Sequence, residues 1–214
     1  MTDPQPDREP DSPSGSQPGA QPDPQPDPQR ARGSEPEPVP GIDIDFDIDF
    51  DGIVQTRDER HRTLCFRRHL DQPVAAVWPY LVRPELLAQW LAAADTLEPA
   101  EGGAVALRWL NTDGRAAGTV SRYDPPTLVE YDTDAHGRIR FELQDEGGGT
   151  ALALEVTLPA PVEDLASRLA GWHLHLDYLA DALDGDPADW SNWDLDRVER
   201  WQPLDDWYRA RYGG

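Results

Sequence analysis

The stretch PVEDLASRLAGWHLHLDYLADALD, residues 161–184, decides the fold. Val162, Leu165, Leu169, Trp172, Leu176, Leu179 and Leu183 recur at three- or four-residue steps, which sets them along one stripe of a helix about six turns long. One face of that helix must be buried. Pro161, Glu163 and Asp164 read as its first turn, where the dipole favours acidic side chains, and Gly185 and Pro187 stand just past its end. Gly171 interrupts the middle at a cost of about 1 kcal/mol relative to alanine. Beside Trp172 it reads as a point of close backbone approach. The helix is read as the lid over a sheet.

The residues before it supply that sheet. Thr150 to Leu158 places Leu152, Leu154, Val156 and Leu158 on one face, and Arg138 to Gln144 does the same with Ile139, Phe141 and Leu143. Gly147 to Gly149 turns between them. Three earlier strands, Val105 to Leu110, Gly118 to Tyr123 and Thr127 to Thr133, are separated by the turn Asn111 to Gly114 and the breaker Asp124-Pro125-Pro126. Thr63 to Leu70 is a further strand. Asp71 is expected to cap a short helix carrying Val74, Val77, Trp78 and Leu81, and Arg83-Pro84-Glu85 to open a second with Leu86, Leu87, Trp90 and Leu91. The fold class is therefore α+β, an antiparallel sheet curled around one long amphipathic helix.

The two ends are different in kind. Residues 1–40 are Pro, Asp, Gln, Ser and Gly with almost no bulky apolar residue, a composition that predicts a disordered tail. Residues 41–59 open with GIDIDFDIDFDG, whose strict alternation gives one apolar and one anionic face and suits an added edge strand. Asp47, Asp49, Asp51, Gly52 and Asp58 also satisfy a calcium-loop spacing, but the flanking helices that motif needs are missing, so the match reads as a by-product of the repeat. Residues 186–214 carry Trp190, Trp193, Trp201 and Trp207. So many aromatics imply packing, either on this domain or on a second copy.

Of 214 residues, 41 are Asp or Glu against 19 Lys or Arg, a net charge of -22, and none is lysine. Nucleic acid and anionic membrane both require a basic surface, so neither is an expected partner. No apolar run approaches the roughly 18 residues of a transmembrane helix, and the single cysteine, Cys65, suits a reducing cytoplasm.

Four segments, FRRHLDQPVAAVWPYLVRPELLAQWL, GTVSRYDPPTLVEY, FELQDEGGGTALALEVTL and AGWHLHLDYLADAL, resemble the SRPBCC or START-like superfamily. Within it they are similar to bacterial homologues of the activator of the heat-shock protein 90 ATPase. The resemblance runs from about Arg60 to Gly185 and leaves both ends uncovered. It implies a helix-grip fold, residues 60–185, in which the C-terminal helix closes a cavity on the concave side of the sheet.

Such a cavity suits a small hydrophobic ligand, since apolar area supplies affinity and a few polar groups fix orientation. Strand alternation and the helix stripe nominate Trp90, Trp109, Phe141, Leu154, Trp172 and Leu176 as its lining; the same residues could instead fill the core. Catalysis would need a positioned acid or base, for which His173 and Asp177, four apart on the helix, are the weak candidates. His173 and His175 project about 200° apart and make poor joint metal ligands. Arg68 shares the strand face of Leu64 and Phe66, as a rim salt bridge or a holder of an anionic head group. No catalytic triad, phosphate loop or ligand cluster stands out, so no cofactor and no metal are expected. Three functions remain: a binding module for a small apolar molecule, a protein-interaction or co-chaperone-like adaptor working through the Trp-rich end or as a homodimer, and a cyclase- or hydrolase-type enzyme.

Overall fold

The computed structural model describes residues 50–56 and 58–212. The tail of residues 1–40 and the alternating stretch 42–49 lie outside them. Eight strands form one antiparallel sheet: β1 Phe50–Gln55, β2 His61–Leu70, β3 Ala93–Leu97, β4 Ala104–Arg108, β5 Arg115–Asp124, β6 Leu128–Thr133, β7 Gly137–Glu146 and β8 Gly149–Pro159. Their order across the sheet is β1-β2-β8-β7-β6-β5-β4-β3. Only the step from β2 to β8 joins strands distant in sequence, and α1 Val74–Val82 with α2 Pro84–Leu87 carries the chain from β2 to β3 at the opposite edge of the sheet. The long helix α3, Leu165–Leu183, packs on the sheet, completing the helix-grip α+β fold.

The register follows the alternation. Phe66 pairs with Leu154 across β2 and β8, and Leu154 pairs with Phe141 across β8 and β7, so three side chains stack in one row under the helix. β1 lies at the sheet edge beside β2. Gly52 of β1 sits where a Cβ would come within 2.5 Å of the Phe66 ring and 2.8 Å of Leu169 of α3, so only glycine lets this strand approach the helix.

Four local readings are corrected. The long helix starts at Leu165, because Asp164 takes a left-handed backbone conformation with φ 47° and interrupts the helical run from Pro161. Asp71 does not cap α1: Pro73 holds the cap position without a side-chain bond. The second helix closes after four residues at Leu87. Strand β3, with the sequence AADTL, was not anticipated, being short, half-exposed and poor in β-branched residues.

Residues beyond Gly185 pack on the outer side of α3. They form a short 3-10 turn at Trp190–Asn192, α4 Trp193–Asp196, a π-helical turn Arg197–Trp201 and α5 Gln202–Tyr212. Polar bonds fix this extension along its length. The Trp190 indole N–H donates to the Ala88 carbonyl at 2.7 Å, and the Tyr178 hydroxyl donates to Asp196 at 2.7 Å. Arg200 pairs with Asp181 at 2.9 Å. Buried Asp205 accepts from Ser167 Oγ at 2.7 Å and from Arg209 Nε at 2.6 Å. As a result α3 is buried on two sides, Leu169, Leu176 and Leu179 facing the sheet row and Leu174, His175 and Tyr178 covered as well. A single apolar stripe accounts only for the first side.

Candidate ligand cavity

A partly open cavity of about 480 Å³ lies between the first half of α3, the sheet end and the extension. Each wall comes from a different element. Trp109 follows β4, and its backbone N–H bonds the Gly114 carbonyl at 2.9 Å, closing the loop that carries Asn111 and Thr112. His136 comes from the β6–β7 turn and stacks on Trp109. Ser167, Arg168, Gly171, Trp172 and His175 of α3 present one helical face to the cavity, being spaced at three and four residues. Trp193 and Trp201, at the start of α4 and the end of the π-helical turn, close the outer side.

Gly171 has a different role from the one its position suggests. A Cβ there would meet nothing within 4 Å, so the glycine widens the cavity wall and is not needed for close packing.

Eight of the fifteen lining residues are polar or charged, and three of them are held in defined states. His175 is buried, and its Nδ1 lies 2.8 Å from the Trp90 carbonyl. Burial pushes its pKa down to about 4, against the partial support of that bond. Burial, with help from the nearby Arg168 charge, likewise pushes His136 down to about 4. Both imidazoles are therefore neutral at pH 7. At the rim, a hydrogen bond from Ser167, reinforced by Arg209, holds the Asp164 carboxyl below the usual carboxylate range. Among the described residues no group of three His, Cys, Asp or Glu could hold a metal ion.

The sequence model of the family described as Activator of Hsp90 ATPase homolog 1-like protein matches residues 71–184, which is 114 of the 214 residues. The chain belongs to this family. The expected START-like superfamily membership stands with it. Among solved structures, CalU16 from Micromonospora echinospora is 27% identical, covering 72% of this chain and 94% of its own, with a TM-score of 0.50. Protein MLL2253 from Mesorhizobium loti is 23% identical over 58% of this chain and 98% of its own, with a TM-score of 0.51. EF2215 from Enterococcus faecalis, 18% identical over 72% of this chain and 91% of its own, reaches a TM-score of 0.53. These last two speak for the fold alone. No curated protein matches the chain.

In this member of the Hsp90-activator-like family, the residues nominated from sequence are divided between cavity and core. Trp109 and Trp172 line the cavity. Trp90, Phe141, Leu154 and Leu176 lie in the packed core, where Trp90 stands edge-on to Phe141 with ring centroids 5.8 Å apart and donates its indole N–H to the Tyr80 carbonyl. The pair His173 and Asp177 is brought together at 3.8 Å but is not part of the cavity wall. His173 lies 3.0 Å from the Tyr208 hydroxyl of α5, and burial raises the Asp177 carboxyl against the pull of His173. His175, His136, Trp193 and Trp201 are among the lining residues that the sequence reading missed. A signal for the first existed, since positions 168, 171, 172 and 175 share one helical face. No helix among the described residues is long and apolar enough to cross a membrane.

Proposed function

We propose that this domain binds a small, mainly apolar molecule in the cavity between the sheet, α3 and the extension. The observation that carries the reading is a partly open space of about 480 Å³ whose accessible surface is mostly apolar, supplied by Trp109, Trp172, Trp193 and Trp201, although eight of its fifteen lining residues are polar or charged. Desolvation of apolar surface supplies affinity in such a site, and the polar groups fix the pose. Family membership supports the same reading without naming the ligand.

The test is mass spectrometry of the purified protein, native and after organic extraction, together with Nile red titration. Gly171→Phe fills the space that the missing Cβ leaves open. The expected outcome is a bound mass on the order of a few hundred daltons, or dye fluorescence, on the wild type and neither on a folded Gly171→Phe protein. Failure of the wild type to yield a mass or bind dye overturns the reading.

One observation favours an interaction module instead. Leu195, Val198 and Trp207 are 46%, 58% and 41% exposed, and all belong to the extension. A concentration-dependent dimer in sedimentation that Leu195→Asp with Val198→Asp abolishes would support that alternative.

A further inference from the structure

We infer, on the reading that the cavity binds a small apolar molecule, that its ligand is an uncharged ring system carrying a hydroxyl or ring N–H that donates to Nε2 of His175. The direction of the bond follows from the tautomer. A carbonyl only accepts, so the 2.8 Å contact with Trp90 places the ring hydrogen on Nδ1 and leaves a lone pair on Nε2. His175 lines the cavity, and no hydrogen bond to Nε2 is made among the described residues. Burial keeps the imidazole neutral near pH 7, so Nε2 does not become a second donor. Asn111 adds to the same balance: its Oδ1 is a buried oxygen of a lining residue with no hydrogen-bond partner. Both groups are acceptors: the Asn111 oxygen is already buried without a partner, and a ligand seated in the cavity would cover Nε2 of His175 as well. A ligand that offers a donor removes the penalty of leaving an acceptor dry, and one that lacks it does not.

The walls define the rest of the molecule. Trp109 and His136 offer a flat stacked pair, and Trp172 stands edge-on to His175 with centroids 6.1 Å apart and planes 60° from parallel. Planar rings match such faces. Net charge on the ligand is disfavoured in both senses. Glu163 and Asp164 outnumber Arg168 in the lining and the chain carries -22, which repels anions. A cation would lose its hydration to walls whose carboxylates, Glu163 and Asp164, are exposed residues ahead of the first turn of α3.

Calorimetric titration with 2-naphthol, 2-methoxynaphthalene and 2-naphthoate at pH 7.5 tests the inference. The naphthol is expected to bind about tenfold more tightly than its ether, and the naphthoate more weakly than the naphthol. His175→Phe is expected to bring the naphthol to the affinity of the ether. Nitrogen NMR of the wild type gives a readout that needs no variant: the Nε2 resonance of His175 moves upfield with naphthol and not with the ether, while Nδ1 stays protonated. Equal binding of naphthol and ether, or an unmoved Nε2 resonance, overturns the donor assignment and leaves the cavity reading standing. Absence of binding by all three probes overturns the cavity reading and the assignment with it.

Discussion

The indole of Trp109 and the imidazole of His136 stack with centroids 4.0 Å apart and planes 18° from parallel. The stack covers an ionisable ring, and burial lowers its pKa to about 4 from an unfolded value of 6.5. Above pH 6.5 both folded and unfolded states carry a neutral ring. As pH falls from 6.5 towards 4 the unfolded state takes up the proton first, so stability drops through this window and levels off below it. The contribution reaches about 2 kcal/mol by pH 5, at roughly 1.36 kcal/mol per unit. His136→Phe keeps a ring for the stack and removes the proton, so urea unfolding of this variant should lose less stability between pH 7.5 and 5 than the wild type. An unchanged pH dependence would refute the assignment.

Gly171→Ala should stabilise the protein. The helix gains up to about 1 kcal/mol in propensity, and the added methyl has no atom within 4 Å to displace. Thermal unfolding should shift upward by a few degrees, whereas close packing at this position would lower it.

Tyr208→Phe should loosen the contact between the extension and the edge strand. The hydroxyl accepts from the Gly52 N–H at 2.9 Å in a buried setting, so its loss leaves that amide dry at a cost of about 1–3 kcal/mol. Hydrogen exchange at the Gly52 amide should accelerate more than at Val156 in the centre of the sheet. Equal acceleration at both would mean that the effect is global.

The architecture was legible because its main elements carry strong periodic signals. The α3 stripe and the alternation in β7 and β8 each specify a buried face, and packing those faces together leaves little choice of arrangement. Strand β3 carried no such signal, since Ala93 and Ala94 are half-buried and Asp95 and Thr96 exposed. Alternation also reports which face a side chain takes without reporting how far along the strand the cavity lies. Phe141 and Leu154 therefore share the inward face with the cavity side yet sit in the core, whereas Trp109, just past the end of β4, borders open space. His175 shares a helical face with Trp172, but its burial depends on Trp190 of the extension, whose own packing rests on the Ala88 carbonyl 102 residues away.

The cavity has two makers. Its inner walls come from strand ends and α3, which also hold the core together, so changing them risks the fold. Its outer wall, Trp193 and Trp201, comes from a terminal segment that adds no strand to the sheet and lies beyond the family match at residues 71–184. Exchanging that segment alone would recut the pocket's shape on an unchanged scaffold, in the way an interchangeable jaw alters what a vice can grip.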